Sequence, residues 1–174
     1  MKSLAYAVVA VASFAASSAP AALAVGTVAP DFSTRGAQGG RVFEVRLASL
    51  LRKGPVVLYF FPAAFTPGCT IEARQFAEAS DQFRRAGATV LGVAADPIET
   101  LQRFSVEECR SRFPVAVATS AMITAYDVRL PSGVRSNRTS YVIDGAGRVA
   151  YAYSSADPAR HVGNTLSAVR ALRR

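Results

Sequence analysis

The sequence is poor in the side chains on which most protein metal sites depend. Its 174 residues include one histidine, His161, two cysteines and no tryptophan. Any site that needs two imidazoles, such as a Cys₂His₂ zinc site or an H-E-x-x-H metal site, is therefore excluded. Two cysteines are also too few for a scaffold built on many disulfides. The length corresponds to about one domain, and 51% apolar with 18% charged residues is a globular composition.

Lysine is almost absent as well, so arginine carries most of the positive charge. Only Lys2 and Lys53 are lysines, and the formal net charge is +8. The arginines are scattered along the chain, and the aromatic residues do not alternate with them as base stacking would require. Basic charge without such a pattern is a weak indicator of partners, and we expect no nucleic-acid partner.

Residues 1–24 have the pattern of a secretory signal peptide. Lys2 gives a positive start, an apolar run covers residues 4–16, and Ala-Leu-Ala at 22–24 fits the small-x-small cleavage rule. An uncleaved anchor is the alternative, but the run is short for a membrane span of about 20 residues. We expect cleavage, a mature chain of residues 25–174 without stable membrane insertion, and an exported, periplasmic protein.

Beyond residue 24 the chain alternates between strand and helix patterns. Residues 26–40 carry five glycines or prolines before any periodic run, which predicts an extended entry segment. Strands are predicted over 41–47, 55–61, 89–94, 114–118, 138–143 and 148–153, and helices over 48–52, 66–86, 97–109, 120–126 and from 157 to the end. No repeat or linker divides the chain. We predict one α/β domain with a mixed central sheet flanked by helices.

Several local details of these elements are also predicted. The continuous apolar run 55–61 is typical of a central strand buried on both faces, and residues 144–147 form the turn of a hairpin that supplies the antiparallel part. Ser120 is a possible N-cap, while Asp157 caps the last helix with Pro158 in its first position. The buried side of the 66–86 helix is predicted to carry four apolar residues: Ile71, Phe76, Ala79 and Phe83.

Cys69 is the first candidate for chemistry, because it follows a buried strand and lies in the opening turn of a helix. Free N–H groups and the positive end of the helix dipole favour thiolate over thiol there, and a thiolate is a nucleophile. The alternative is a small hydrophobic side chain packed at a helix start.

A resemblance decides between these alternatives. The spacing Pro62-x-x-x-Thr66-x-x-Cys69 resembles the active-site motif of the peroxiredoxins, and residues 59–73 are similar to the bacterioferritin-comigratory, or PrxQ, branch. Weaker matches are Val28-Ala-Pro-Asp-Phe32 and Arg138-Thr-Ser-Tyr-Val-Ile-Asp144. The resemblance implies a thioredoxin-like fold of the peroxiredoxin type and a thiol-dependent peroxidase that needs no metal or other cofactor.

The resemblance also implies roles for individual residues. Cys69 is the peroxidatic thiolate, Thr66 hydrogen-bonds the sulfur and the peroxide, and Pro62 shields the sulfur from water. Arg138 stabilises the thiolate and the charge on the leaving oxygen, and Glu72 orients that arginine. Without the resemblance, Pro62 is a strand terminator, Arg138 one of 18 arginines, and Glu72 an acidic residue favoured in a first helical turn.

The resolving thiol departs from the commonest pattern of the branch. Many members carry it five residues after the first cysteine, where this chain has Arg74. Some members resolve from the following helix, which makes Cys109, near the end of the predicted 97–109 helix, the expected partner of the Cys69 sulfenic acid. A one-cysteine enzyme with a structural Cys109 is the alternative.

Three other interpretations of the sequence compete with this one. A thioredoxin-like disulfide oxidoreductase needs C-x-x-C, and Cys69 is followed by Thr-Ile-Glu. A binding domain on the same fold remains open, since fold does not imply function. His161 has no protease-like nucleophile signature beside it, and we expect an exposed histidine at a helix start.

The resemblance implies two kinds of partner. They are a peroxide, either hydrogen peroxide or an organic hydroperoxide, and a thioredoxin-like or other thiol reductant. The branch is often monomeric, which implies a monomer or weak dimer.

Overall fold

The computed structural model describes residues 22–131 and 133–173. Seven strands form one mixed sheet in the order β2-β1-β5-β4-β3-β6-β7. The strands are β1 (Ser33–Gln38), β2 (Arg41–Arg46), β3 (Val56–Phe60), β4 (Thr89–Ala94), β5 (Val115–Val117), β6 (Thr139–Ile143) and β7 (Val149–Ser154). The helices are α1 (Leu47–Leu51), α2 (Pro67–Arg85), α3 (Ile98–Glu107), α4 (Ser120–Ala125) and α5 (His161–Ala171), with a 3₁₀ turn at Pro158–Arg160. The predicted α/β domain with a mixed sheet is confirmed.

Strand β3 lies at the centre of the sheet and is buried along its whole length. It pairs in parallel with β4 and antiparallel with β6. Side chains alternate along a strand, so Val57 and Tyr59 join the core on one face while Val56 and Leu58 join the core on the other. The first core includes side chains of α2, α3 and α5, and the second includes side chains of α1 and α4. This packing fixes the end of β3, from which the loop to α2 begins.

The antiparallel part of the sheet is larger than predicted. The expected extended segment 26–40 contains β1, which forms a hairpin with β2 and also pairs antiparallel with β5. Its turn uses Gly39 and Gly40, both at positive φ, where glycine is the residue of lowest steric cost. The glycines that predicted irregular structure therefore serve a hairpin turn and a strand. Gly36 lies within β1 and has no space for a Cβ beside Val45 and Ala116.

The helices differ from their predicted details in three places. Ile71 is exposed, because a residue two positions after Cys69 lies on the opposite side of the helix. The buried side of α2 carries Cys69, Glu72, Ala73, Phe76, Ser80 and Phe83. Thr119, not Ser120, caps α4 and accepts a hydrogen bond from the Met122 N–H. Asp157 accepts from the Ala159 N–H as predicted, but it caps the 3₁₀ turn ahead of α5.

The predicted signal peptide lies mostly outside the described residues. Of residues 1–24 the structure describes 22–24, where the Leu23 N–H donates to the Tyr141 hydroxyl at 3.1 Å. None of the helices in the described ranges combines the length and apolar character needed to cross a membrane.

Candidate active site

Cys69 is the third residue of α2 and lies directly after the loop that leaves β3. Thr66 is the N-cap residue in an extended conformation, and Pro67 begins the helix, where its fixed φ and missing N–H are tolerated. The first N–H groups of a helix have no partner within it, and they carry the positive end of its dipole. The Cys69 side chain is only 2% exposed. Its predicted place in an opening helical turn is confirmed.

Arg138 contacts this sulfur directly. Its Nη2 donates to Cys69 Sγ at 3.4 Å, its Nη1 donates to Glu72 Oε2, and its Nε donates to the Ala156 carbonyl at 3.1 Å. A Cβ on Gly68 would lie 3.1 Å from Nη2, so glycine at this position lets the guanidinium approach the helix start. Every nitrogen of the side chain has a partner, and the cation is held against the sulfur.

Glu72 lies one helical turn after Cys69 and is fully buried. Burial raises the pKa of its carboxyl to about 7, although the charge and hydrogen bond of Arg138 act in the opposite direction. Burial alone would lower the pKa of Arg138, but Glu72 and Cys69 outweigh it and raise the pKa. The guanidinium therefore stays charged, and the structure brings together Cys69, Arg138 and Glu72.

Thr66 and Pro62 belong to the loop that joins β3 to the start of α2. The Thr66 hydroxyl donates to the Ala63 carbonyl at 2.9 Å, and the side chain is exposed. Its proton is therefore used within the loop, while the oxygen keeps lone pairs that can accept from a peroxide O–H. Pro62 is half-buried and follows the strand end. The expected bond from the Thr66 hydroxyl to the sulfur stays a prediction.

Three residues that the sequence did not single out anchor this loop. Asp96, just beyond β4, accepts from the Ala64 N–H at 3.0 Å through Oδ2. Arg135 donates to the Pro62 carbonyl at 2.9 Å and lies 3.5 Å from Asp96 Oδ1. Ser136 donates to the Phe61 carbonyl at 3.1 Å. A polar residue at the carboxyl end of a central parallel strand is the signal that could have indicated Asp96.

His161 is not the exposed helix-start histidine that was expected. It is fully buried, and its Nδ1 lies 2.8 Å from Ser140 Oγ and 3.6 Å from Glu72 Oε1. The prediction failed because a position at a helix start does not decide which side of the helix faces the sheet. Here the first residue of α5 packs against β6 and β7.

Cys109 lies two residues beyond the end of α3, in a turn, and is a free thiol like Cys69. It is fully buried and belongs to the same core cluster as Cys69 and Tyr59. Burial, followed by the nearby charge of Glu108, raises the pKa of the Cys109 thiol well above its ordinary value. In this conformation Cys109 is a poor nucleophile, because the thiolate is the attacking form.

The site holds a thiol, a fixed cation and a buried carboxyl, with a polar rim at Thr66. Within residues 22–131 and 133–173 no group of three His, Cys, Asp or Glu side chains could hold a metal ion. The arrangement can stabilise a thiolate and then an anion that forms beside it.

A family model and individual known proteins both match this sequence. The sequence model of the AhpC/TSA family matches residues 25–152. Chloroplastic peroxiredoxin Q of Oryza sativa subsp. japonica is 32% identical over 84% of this chain and 67% of its own length. A putative peroxiredoxin bcp of Helicobacter pylori is 41% identical over 50% of this chain and 54% of its own.

Solved structures show the same similarity in three dimensions. The crystal structure of peroxidoxin BcpB from Mycobacterium tuberculosis superimposes with a TM-score of 0.77 at 32% identity, over 86% of this chain and 98% of that one. These proteins are similar to the chain in both sequence and fold.

Proposed function

Because the chain belongs to the AhpC/TSA family and to its peroxiredoxin Q and bcp branch, it is a thiol-dependent peroxidase, and we propose that Cys69 is its nucleophile and Cys109 its resolving thiol. The observation that carries the first assignment is the Arg138 guanidinium, which contacts Cys69 Sγ and Glu72 at once. No other cysteine of this chain has such a partner in the described residues.

The geometry suggests how the first step proceeds. The Cys69 thiolate attacks one oxygen of the peroxide, the O–O bond breaks, and Cys69 becomes a sulfenic acid. The leaving hydroxide or alkoxide takes a proton and departs as water or alcohol. Arg138 Nη2 first faces the thiolate, and the same donor can then stabilise the charge on the leaving oxygen. The Thr66 oxygen accepts the peroxide O–H and orients it.

Resolution by Cys109 forms a disulfide with loss of water. The Cys109 thiolate attacks the Cys69 sulfur, the S–O bond breaks, and the hydroxide leaves as water; an external thiol reductant then reduces the disulfide. Two observations support this proposal. Both cysteines belong to one core cluster, and Arg74 on α2 is paired with Glu108, the neighbour of Cys109, at 2.6 Å. Cys109 is buried in the described conformation, and we propose that its turn opens before the sulfurs meet.

The loop beside the site supports a proposal about the peroxide substrate. Ala63, Ala64 and Phe65 make the loop beside Thr66 apolar and partly exposed, which suits organic hydroperoxides as well as hydrogen peroxide. The reductant is a thioredoxin-like protein or another thiol donor, and we propose that the enzyme acts as a monomer or weak dimer.

We also propose export to the periplasm after cleavage behind Ala24. The proposal is supported by Lys2, the apolar run 4–16 and the small residues at 22–24. Intact-mass measurement of protein recovered from the periplasmic fraction tests it, since a chain that keeps residues 1–24 would contradict cleavage.

The central experiment follows both thiols after one equivalent of peroxide. We expect Cys69→Ser to abolish peroxide consumption while the fold survives. Cys109→Ser should leave the first equivalent unaffected, slow the recycling step, and let Cys69 oxidise further at high peroxide. Non-reducing peptide mapping should recover a Cys69–Cys109 disulfide in the parent protein.

Different results would contradict the assignments of Cys69 and Cys109. Turnover by Cys69→Ser would contradict the nucleophile. A Cys69 sulfenic acid beside free Cys109, with unchanged turnover in Cys109→Ser, would identify a one-cysteine enzyme.

A further inference from the structure

The only histidine of the chain lies behind the active site, on the far side of Glu72 from Arg138. His161 contacts three elements: Ser140 of β6, the Ser155 carbonyl after β7, and Glu72 of α2. The Tyr153 ring packs against it edge-on, with ring centroids 4.8 Å apart. A buried histidine surrounded in this way has a fixed ring orientation, and its two nitrogens face different groups.

The hydrogen-bond partners determine which nitrogen carries the proton. His161 Nε2 lies 3.1 Å from the Ser155 carbonyl oxygen, which can only accept, so Nε2 carries the hydrogen. In the neutral ring Nδ1 is then an acceptor, available to the Ser140 hydroxyl at 2.8 Å. Glu72 Oε1 is buried without a hydrogen-bond partner among the described residues, and it lies 3.6 Å from this same Nδ1.

An unpartnered carboxylate oxygen facing a nitrogen lone pair is unfavourable in a buried site. One proton placed between the two atoms removes the conflict, while Glu72 Oε2 continues to accept from Arg138 Nη1. We propose that His161 is a positioning residue of the peroxidase, which shares one proton with Glu72 and thereby sets how much positive charge Arg138 presents to the Cys69 thiolate.

The groups around the pair favour the neutral form of both partners. Burial raises the pKa of Glu72 to about 7, against the effect of Arg138. Burial, with Arg138, lowers the pKa of His161, while the Ser155 carbonyl and Asp157 oppose this. The shared proton therefore resides on Glu72. Because Oε1 lies 3.6 Å from Nδ1, beyond hydrogen-bond distance, a small movement of the two side chains is needed for Glu72 to donate to Nδ1 in place of the Ser140 hydroxyl, which lies 2.8 Å away in this structure.

The consequence for the reaction depends on pH. When Glu72 is ionised, its charge offsets part of the charge of Arg138. When the pair takes up a proton as the pH falls, Glu72 no longer offsets the charge of Arg138, and the full charge of the guanidinium then opposes protonation of the thiolate. The pair therefore extends the reactive form of Cys69 to lower pH. This inference rests on the peroxidase activity of the family and on Arg138, and it is independent of the role of Cys109.

The first test compares pH profiles of the second-order rate of Cys69 with hydrogen peroxide. His161→Gln keeps a donor for Ser155 but removes Nδ1, so Glu72 ionises at lower pH and offsets Arg138 over a wider range. The acid limb of the pH profile should shift to higher pH by roughly half a unit or more, which lowers the rate on that limb about threefold. Thr165→Val is the matched control, since it removes a buried hydroxyl of α5 that, in the described part of the chain, bonds to the His161 and Val162 carbonyls alone.

A double-variant series separates charge from packing. Glu72→Gln mimics the protonated carboxyl, because its amide oxygen can accept from Arg138 while its NH₂ donates to His161 Nδ1. In the Glu72→Gln background, His161→Gln should cause no further shift of the acid limb. An equal shift in both backgrounds, or a His161→Gln profile that superimposes on the parent, would overturn the proposal.

A spectroscopic test needs no substitution at residue 161. With ¹⁵N-histidine in untagged protein, the single histidine gives unambiguous ring signals. We expect the Nε2–H tautomer and a change in the Nδ1 shift centred near pH 7, absent in Glu72→Gln. An Nδ1 signal that stays constant from pH 5 to 8, or changes identically in Glu72→Gln, would show that His161 only fills space.

Discussion

Arg138 contacts Cys69, the proposed nucleophile, with a guanidinium whose three nitrogens all have partners. Its orientation comes from Glu72 on one side and the Ala156 carbonyl on the other, both supplied by distant parts of the chain. A lysine would supply charge but not the fork that reaches Glu72 and the sulfur together. At the scale of single residues, orientation of the cation matters as much as its charge.

We expect Arg138→Ala to lower the second-order rate with peroxide by roughly ten- to a thousandfold, the scale of losing one preorganised donor. The fraction of Cys69 present as thiolate should fall too, so alkylation by iodoacetamide at pH 6 should slow. Arg160→Ala, which changes an exposed arginine near α5, is the control and should behave like the parent. Equal alkylation rates in Arg138→Ala and the parent would show that another group stabilises the thiolate.

Thr66 allows a second test at this scale. Because the side chain is exposed, Thr66→Val should leave the core intact while it removes the oxygen that is proposed to orient the peroxide. We expect a loss of roughly tenfold or more in the rate with peroxide. Thr66→Ser keeps the hydroxyl and should retain most of the rate; a similar loss in both variants would instead implicate the methyl group and loop packing.

At the scale of elements, the turn that carries Cys109 is strained and held by charges. Arg110 and Ser111 have positive φ values of 49° and 57°, which cost free energy in residues other than glycine. Three ion pairs join this turn to one side of α2: Glu108 with Arg74, Arg110 with Glu78, and Arg112 with Asp81. Opening of the turn releases this backbone strain, whereas the three ion pairs oppose the opening.

The ion pairs differ in burial, and this difference yields a prediction. Glu108 is 11% exposed, whereas Glu78 is 63% exposed, and exposed pairs contribute little. Arg74→Gln leaves the Glu108 carboxylate without its partner, so the turn should open more often and the Cys69–Cys109 disulfide should form faster after a peroxide pulse. Arg110→Gln is the matched control and should change the rate little.

Hydrogen exchange gives a readout that does not depend on disulfide formation. The amides of Cys109 and Ser111 donate to the carbonyls of Phe104 and Ser105 at 3.0 and 2.9 Å. Their protection should fall in Arg74→Gln and stay unchanged in Arg110→Gln. Unchanged protection in both variants would mean that core packing around Cys109, and not the ion pair, holds the turn closed.

At the scale of the whole molecule, the buried Glu72 makes stability depend on pH. Its pKa is about 7 in the folded protein and near 4.5 when unfolded, so between these values the folded state binds more protons. The free energy of unfolding therefore loses a contribution from Glu72 as the pH rises from 4.5 to 7, amounting to a few kcal/mol in total. His161 acts oppositely, because its lowered pKa in the folded state costs stability as the pH falls below 6.5.

A comparison of the parent protein with Glu72→Gln isolates the contribution of Glu72 to the pH dependence of stability. Denaturant unfolding should show similar stability for parent and variant near pH 4.5, and an increasing relative advantage of the variant up to pH 7, constant above it. A stability difference that does not vary with pH would show that Glu72 stays ionised throughout.

The sequence alone determined the parts of this enzyme that are local. The apolar run of β3, the loop, and Cys69 in the first turn of α2 follow one another within a few residues, so their periodicity and spacing could be recognised. The Pro62–Cys69 motif is local for the same reason, whereas the roles of Arg138 at the sulfur and of Glu72 beside that arginine came from the resemblance to the family. The element order also followed, except at β1, where turn glycines concealed a strand.

Only the tertiary structure decided which distant side chains meet. Asp96 and Arg135 are 39 positions apart and both anchor the loop of the active site. His161 was expected in solvent but lies buried against Glu72, because the packing of α5 on β6 and β7 selects the side of the helix that faces inward. A local pattern shows that a helix begins with a histidine, but what that histidine faces depends on contacts formed when the chain folds.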